Sequence, residues 1–398
     1  MSKNAVLMVY SDNNLGDLAI VLSRIQKLSD KKITLFSVYN KYQKKFISEH
    51  TKLRKHHQVY PNPYGELGLD IPNKIFSDLI KVIHFLILPF IYFYHRIIIT
   101  LNLNTSVFIN KIKHIDNFYL KGGSIFESYG SKRELISLLR IWFLLSLIKK
   151  NNKNIFFDPQ SFGPFRSTLS SFVFKKILSL SDKIICREKI SLRYLERFFK
   201  PQNLYISHDI VFDYKFKVET QIIQENKIGI TLVASKLNKS EYINIIKSLI
   251  NKVSNYFDIY DFVIIRQVDL NKYDSSEMLM ETEIINFFKG EINFEVKKDF
   301  NSIEDIYKTY KSLRFLIGSR LHSTIISFLA KTPFISIEYQ GFKARGTYSL
   351  LNLNYRVFSI NTLSEFINYK ENKFTQYMKI LESSEDLSLT KNEKENSN

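Results

Sequence analysis

The sequence predicts an α/β protein made of two consecutive α/β halves. In each half, short apolar runs that end in glycine or polar residues alternate with longer stretches whose apolar residues recur at helical spacing. Glycine is scarce, with 12 residues in 398, and most of these glycines fall in or beside the predicted strand-end turns. Strands that alternate with helices favour parallel pairing, which puts ligand-binding loops at the carboxyl ends of the strands.

The first half is predicted to span residues 1–214. Its strands are predicted at residues 5–10, 33–39, 117–120, 154–157, 183–186 and 205–207. Its helices are predicted from Leu18, at 135–148 and at 191–199, the second being a buried crossover helix. The strand-end loops are predicted at residues 11–17, 121–124 and 158–164. A polar interdomain linker is predicted at residues 215–226.

The second half is predicted to span residues 227–382. Its strands are predicted at residues 227–233, 261–266, 292–296, 315–318 and 334–339, and its helices at 240–257, 275–288, 303–312 and 321–330. Residues 383–398 are polar and charged without apolar periodicity, which predicts a disordered tail.

Composition narrows the function classes. The chain has 57 Lys and Arg against 39 Asp and Glu, a net charge of +18, which favours contact with anionic partners. These cations are spread along the chain and carry no zinc-finger, basic-zipper or RNA-recognition pattern, so no nucleic-acid partner is expected. The single cysteine, Cys186, excludes an internal disulfide framework and any multi-cysteine metal site. With an N-terminal apolar run too short for a secretory signal, these features predict a cytoplasmic protein.

An apolar stretch at residues 82–94 raises the question of membrane contact. Its 13 residues are fewer than the roughly 20 that a spanning helix needs, and extending it would include His95 and Arg96, so it is predicted not to cross a membrane. Two interpretations stay open. The segment lies in the headgroup region at the inner face of the plasma membrane, helped by the basic charge, or it is a core or interdomain helix.

Four cationic or protonatable side chains surround the strand–helix–strand pattern of residues 315–346. Arg320 and His322 follow the first strand, and Lys343 and Arg345 follow the second. The carboxyl ends of parallel strands share one edge, where the amides of the next helix carry a partial positive charge. This arrangement predicts a site for an anionic small molecule.

The ordered series of loop motifs resembles the polysaccharide pyruvyl transferase family over residues 5–355. The motifs are residues 14–17 (NLGD), 121–124 (KGGS), 160–164 (QSFGP), 187–188 (RE), 208–209 (HD), 320–322 (RLH) and 337–343 (IEYQGFK). The resemblance implies two Rossmann-like domains facing across a cleft, as in glycosyltransferases of the B type. It further implies transfer of the pyruvyl group of phosphoenolpyruvate to sugar hydroxyls of a surface glycan, forming a ketal and releasing phosphate.

Carried onto this chain, the resemblance puts the donor on the C-terminal domain and the acceptor on the N-terminal domain. It assigns Arg320 and His322 to catalysis at the donor site, with Arg187 as a second arginine. The other substrate-binding candidates lie in the same loops: Asn14, Asp17, Gly122, Gly123, Ser124, Gln160, Glu338 and Lys343.

Structural roles stay open for several of these candidates. Asp17 is either a helix cap or a sugar-binding group or general base. Arg187 either binds substrate or pairs with Glu188 or Glu196, and Glu338 either pairs with Lys343 or accepts a sugar hydroxyl.

The chemistry of the donor explains the residue types. Phosphoenolpyruvate carries a carboxylate and a phosphate, and the planar guanidinium of arginine can bind either through two parallel hydrogen bonds. An imidazole such as that of His322 can move the protons that addition of a hydroxyl requires. The scheme needs no metal and no cofactor, and its partners are phosphoenolpyruvate and a glycan or lipid-linked sugar acceptor. The alternatives are a nucleotide-sugar glycosyltransferase of the same shape and a non-catalytic, membrane-recruited assembly component.

Overall fold

The computed structural model describes residues 3–9, 14–28, 33–38, 53, 57–65, 74–218, 221–233, 239–267, 275–338, 341–384 and 387. The chain divides into two units, one made of Met1–Asp12 with Ile20–Ile210 and the other of Asn13–Ala19 with Val211–Asn398. The second unit therefore includes a short piece of the N-terminal sequence. Most of the predicted tail at residues 383–398 lies outside the described residues.

The first unit contains a parallel sheet in the order β3-β2-β1-β4-β6-β7-β8, with β5 paired beside β6. Its strands are β1 Asn4–Val9, β2 Thr34–Ser37, β3 Gln58–Tyr60, β4 Asn117–Leu120, β5 Gly123–Ser128, β6 Asn154–Phe165, β7 Lys183–Cys186 and β8 Leu204–Ile206. The described helices of the N-terminal half are α1 Leu15–Leu28, α2 Lys74–Thr100, α3 Val107–Lys113, α4 Lys132–Lys150, α5 Thr168–Leu178 and α6 Lys189–Phe198. The buried face of α4 confirms the crossover helix predicted at residues 135–148.

The second unit has a parallel sheet in the order β11-β10-β9-β12-β13-β14, which is the strand order of a Rossmann fold. Its strands are β9 Ile228–Thr231, β10 Asp261–Ile265, β11 Asn293–Lys297, β12 Phe315–Gly318, β13 Phe334–Glu338 and β14 Val357–Ser359. Its described helices are α7 Lys239–Phe257, α8 Ser275–Phe287, α9 Ile303–Ser312, α10 Leu321–Leu329, α11 Lys343–Ser349, α12 Ile360–Ile367 and α13 Glu371–Glu382.

In each sheet the order of the strands reverses once, and we call this reversal the direction change of the sheet. In the first sheet the strand order reverses between β1 and β4, and in the second it reverses between β9 and β12. Open α/β sheets bind ligands at this point, outside the carboxyl ends of the two strands. The loops after β4 and β12 are the ones that begin with Lys121 and Ser319.

The prediction of a loop at residues 158–164 is wrong, because β6 continues through it to Phe165. The first part of β6 pairs with β4 as far as Phe157, and the second part pairs with β5 from Gln160 onward. Pro159 lies between these two partners, at a position where the ladder does not need its missing N–H. The predicted loop at residues 121–124 likewise contains the first residues of β5, Gly123 and Ser124.

The apolar stretch at residues 82–94 belongs to a longer helix than the sequence predicts. Within α2, Leu79–Thr100 is long and apolar enough to cross a membrane by length and composition, so the prediction that it is too short is wrong. The helix continues through His95, whose side chain is buried and whose Nδ1 lies 2.7 Å from the hydroxyl of Tyr64. Arg96 is exposed, with its guanidinium over the ring of Tyr92.

The buried His95 predicts a loss of stability in mild acid. Burial lowers the pKa of His95 from 6.5 to about 4, so the folded state favours the neutral ring. Its contribution to the free energy of unfolding is present above pH 6.5 and is lost as the pH falls towards 4, by about 3 kcal/mol. Urea unfolding between pH 7 and pH 4 measures this loss. His95→Asn, which keeps a polar atom near Nδ1 but cannot titrate, should flatten the curve, and an unchanged slope would contradict the prediction.

Candidate functional site

The direction change of the second sheet places a polar cluster between the ends of β9 and β12. The backbone N–H of Ser319 donates to Oγ1 of Thr231 at 3.1 Å, and Thr231 Oγ1 lies 2.9 Å from Oγ of Ser323. These contacts tie the first turn of α10 to the neighbouring strand. These hydrogen bonds therefore fix the backbone that carries Arg320 and His322.

Arg320 is held by two partners at this edge. Its Nε donates to the carbonyl oxygen of Leu232 at 3.2 Å, and its Nη2 donates to the carboxylate of Glu277 on α8. About a fifth of the Arg320 side chain stays exposed, at 22%. The guanidinium is thus oriented by protein contacts while part of it remains accessible to an anion.

His322 packs directly against the glycine of the NLGD motif. A Cβ atom built on Gly16 would lie 2.7 Å from Nδ1 of His322, closer than real Cβ contacts allow. Gly16 and His322 belong to the same unit, and the backbone N–H of the adjacent Leu15 donates to the carbonyl of Gln267 at 3.0 Å. The structure therefore brings together two motifs from opposite ends of the sequence.

The side chains on either side of Gly16 shape the start of α1. Oδ1 of Asn14 accepts from the backbone N–H groups of Gly16 and Asp17, at 3.1 and 3.4 Å. Nδ2 of Asn14 donates to the Asp17 carboxylate at 2.7 Å. Asn14 is thus the capping residue, a role that the sequence offered to Asp17. The Asp17 carboxylate stays half-buried beside it.

Glu338 lies at the carboxyl end of β13, which neighbours β12 in the sheet. Its Oε1 accepts from the backbone N–H of Arg345 at 3.0 Å, and its Oε2 lies 3.7 Å from the Arg345 guanidinium. Glu338 thus contacts Arg345 at the start of α11, where the sequence suggested Lys343 as its partner. Burial raises the pKa of Glu338, and the Arg345 backbone N–H and guanidinium oppose this shift. Lys343 is the first residue of the same helix and is half-buried.

In the first unit, Arg187 is the centre of a buried polar cluster. Its Nη1 donates to Asp209 at 2.8 Å, its Nε to Ser161 Oγ at 2.9 Å and its Nη2 to Ser124 Oγ at 3.0 Å. Arg187 and Asp209 are both almost fully buried. The suggested pairing of Arg187 with Glu188 or Glu196 is replaced by Asp209, since the Glu188 carboxylate caps α6 through the N–H of Ser191.

The remaining candidates of the first unit lie between β4 and β5, at the start of β5 and within β6. Gly123 pairs with Gln160 across β5 and β6, and the Arg187 backbone N–H donates to the Gln160 carbonyl at 3.1 Å. Gly122 permits close strand approach, because a Cβ there would lie 2.4 Å from the carbonyl oxygen of Pro159. Gln160 is fully buried, and among the described residues its side-chain amide has no hydrogen-bond partner. Such an amide is costly, as expected of a group kept for a ligand or a conformational change.

Sequence reasoning missed two acidic partners. Asp209 belongs to the noted HD motif at residues 208–209, but nothing in the motif identified Arg187 as its partner. Glu277 gave no signal, since a single glutamate near the start of a polar helix is ordinary. Each of these two carboxylates balances the positive charge of one arginine. Only the fold shows which arginine each carboxylate contacts. Within the described ranges, no group of three His, Cys, Asp or Glu residues is placed to hold a metal ion.

Comparison with known families gives one match that covers most of the chain. The model of the family described as polysaccharide pyruvyl transferase matches residues 14–341. Both halves of the Gly16–His322 contact fall inside this match. A comparison with curated proteins finds no match.

Solved structures show the fold. A putative UDP-N-acetylglucosamine 2-epimerase from Listeria monocytogenes aligns with TM-score 0.54 and 7% identity, over 97% of this chain and 91% of the other. UDP-GlcNAc 2-epimerase from Neisseria meningitidis, solved with UDP-GlcNAc, aligns with TM-score 0.51 and 10% identity, over 97% and 95%. UGT2 of Phytolacca americana, solved with UDP-2fluoro-glucose and pterostilbene, aligns with TM-score 0.51 and 9% identity, over 96% and 94%. These likenesses confirm the α/β class with two Rossmann-like sheets of the glycosyltransferase-B kind.

Proposed function

The chain belongs to the polysaccharide pyruvyl transferase family, and from this premise we propose that it transfers the pyruvyl group of phosphoenolpyruvate to a sugar in a surface-polysaccharide precursor. The product is a ketal on two sugar hydroxyls, with phosphate released. The acceptor is a glycan or a lipid-linked sugar. The proposal locates the enzyme in the cytoplasm, in keeping with a single, buried cysteine.

The contact between Gly16 and His322 carries this proposal. The NLGD and RLH motifs are each short, and either could arise by chance. Their meeting at one strand edge, with an imidazole packed where only a glycine fits, is what a shared site requires. The cationic Arg320 two residues away supplies charge for an acidic donor.

The reaction forms two C–O bonds at one carbon and breaks one. A first sugar hydroxyl adds to the central carbon of phosphoenolpyruvate while a proton is delivered to the methylene carbon. A second hydroxyl then replaces the phosphate at the same carbon. His322 is the group that moves a proton in these steps, because neutral imidazole can accept a proton and imidazolium can return it.

The cations have separate tasks in this proposal. Arg320 binds the donor and stabilises the negative charge that develops as phosphate leaves, with Lys343 at the neighbouring strand end. Arg187 acts differently, because each of its three nitrogens already donates to Asp209, Ser161 or Ser124. We assign it to positioning strands β5 and β6, which contain Ser124 and Gln160.

A direct assay tests the proposal. The full-length chain is incubated with phosphoenolpyruvate and a panel of glycan acceptors, and phosphate release and mass gain of the acceptor are followed together. We expect both signals only with a suitable acceptor. Turnover of a UDP-sugar in place of phosphoenolpyruvate would instead support the glycosyltransferase alternative. A His322→Ala variant that still complements a deletion strain would support the assembly component.

Glu277 makes a specific prediction about donor affinity. Its carboxylate occupies part of the Arg320 guanidinium and repels an incoming anion. Glu277→Gln removes the charge while keeping a hydrogen-bond acceptor, so we expect the KM for phosphoenolpyruvate to fall about fivefold, the equivalent of ~1 kcal/mol between two charges in water. Initial rates against donor concentration measure the change.

A matched control lies one turn along the same helix. Glu281 binds Arg266 through two hydrogen bonds of 2.8 and 2.9 Å, so Glu281→Gln makes the same change at another arginine. It should leave the KM unaltered. A higher KM in Glu277→Gln would mean that the Glu277 charge is needed to orient Arg320.

A further inference from the structure

Helix α2 has an apolar stripe on the side that faces away from its own unit. Six residues spaced by four, three, four, three and four positions form one line along the helix. They are Leu79, Ile83, Leu86, Phe90, Phe93 and Ile97, and all are exposed, Phe90 by 73%. We call them the outer stripe of α2. It is about 27 Å long and contains no charged residue, whereas the outward face of an ordinary surface helix is polar.

The opposite side of α2 is anchored to the first unit. Leu88 and Tyr92 are part of its hydrophobic core, and the ring of Tyr92 stacks on Phe143 of α4 with centroids 4.8 Å apart. Nδ1 of His95 makes the buried 2.7 Å contact with Tyr64. Crossing a bilayer as a separate rod would break these contacts and put the polar pair of His95 and Tyr64 into hydrocarbon. The helix is therefore fixed with one face inward and one face outward along its length.

Positive charge borders the outer stripe without entering it. Lys150 donates to Oγ1 of Thr100 at 2.7 Å, and Lys113 donates to Oδ1 of Asn102 at 2.8 Å, both at the C-terminal end of α2. Arg96 is exposed on the flank of the helix. The chain as a whole carries a net charge of +18. An apolar stripe with basic borders is complementary to anionic headgroups over an acyl layer.

We propose that the outer stripe of α2 docks in the plane of an anionic lipid bilayer, with the apolar side chains below the headgroups and Arg96, Lys113 and Lys150 at the phosphate level. A second copy of the chain fits this stripe less well, because two copies with the same large positive charge repel each other. Lipid binding by α2 is independent of the transfer reaction and can be tested without any substrate.

The test is co-sedimentation of the full-length chain with vesicles. One set contains phosphatidylcholine alone and a second contains phosphatidylglycerol in addition. The variant L86E/F90E/F93E places three negative charges on the outer stripe at exposed positions, where folding should tolerate them. The control variant I223E/F287E/I380E makes the same change in charge at exposed apolar residues elsewhere. Circular dichroism verifies that both variants are folded, and light scattering gives their oligomeric state.

We expect the wild-type chain and the control variant to bind anionic vesicles, more weakly at high salt, and the stripe variant to bind at least tenfold more weakly. Release of the bound protein by alkaline carbonate is expected for docking in the plane. Equal binding by both variants, or resistance to carbonate extraction, would overturn the proposal. The proposal would also be overturned if the wild-type chain were a dimer that does not bind vesicles while the stripe variant was a monomer.

Discussion

His322→Ala is expected to lower turnover by about 10²–10⁴-fold, the usual contribution of a positioned general acid or base. The imidazole lies at the start of α10, beside the direction change of the second sheet, and is the group proposed to move a proton. Its loss should reduce kcat far more than it changes the KM for phosphoenolpyruvate. Phosphate release in steady state measures both constants. His114→Ala, at an exposed histidine, is the control and should keep full activity.

Gly16→Ala tests whether the position of this imidazole matters. The added methyl group would lie 2.7 Å from Nδ1 and 3.1 Å from Cγ of His322, so the ring must move. We expect a substantial loss of kcat in the wild-type background and little further loss in His322→Ala, because the two changes act on one group. Circular dichroism and the urea-unfolding midpoint of Gly16→Ala, compared with those of the wild-type chain, control for a general effect of replacing a glycine on the fold. Additive losses would show that Gly16 acts independently of His322.

Arg187→Met is expected to lower the free energy of unfolding by about 3–5 kcal/mol, because it leaves the Asp209 carboxylate buried without its cation. Both side chains are about 2% exposed or less. The double variant R187M/D209L should recover part of this loss, since it removes the charge as well as its partner. Urea unfolding followed by fluorescence measures the difference.

The surface pair of Lys149 and Asp182 gives a matched comparison for Arg187. Its N–O distance is 2.6 Å, but both side chains are 36% exposed. Lys149→Met should therefore cost less than about 1 kcal/mol. Equal costs at the two sites would mean that burial does not determine the strength of the Arg187 pair.

The sequence predicted the elements whose pattern is local. Strands such as Lys183–Cys186 and Phe315–Gly318 are confirmed residue for residue, because a short apolar run between turn residues has few alternatives. The edge strands β3 and β14 were missed, since a run of only three residues leaves little pattern. The continuation of β6 past Pro159 depends on β5 arriving as a new partner, which only the fold reveals.

The same distinction between local pattern and contacts made by the fold applies to the candidate site. The strand-end segments that contain Arg320, His322 and Arg187 could be found because strand ends and motifs are visible in the sequence. The partners of these residues could not, since the motifs that contain Gly16 and Asp209 do not tell which residue each one contacts, and Glu277 belongs to no motif. Helix α2 shows a further limit of prediction from the sequence. A run of apolar residues in the sequence indicates how hydrophobic a helix is. Which side of the helix packs against the rest of the unit depends on contacts with Tyr64 and Phe143, and the run does not reveal these.

The grouping of residues 13–19 with the C-terminal sequence has a practical consequence for dissecting the protein. A fragment that starts at Val211 lacks Gly16, the glycine against which His322 packs, so under the proposed function we do not expect it to be a separable donor-binding module. A C-terminal half expressed alone is therefore expected to misplace His322. We expect the imidazole to keep its position only in a fragment that also includes residues 14–17.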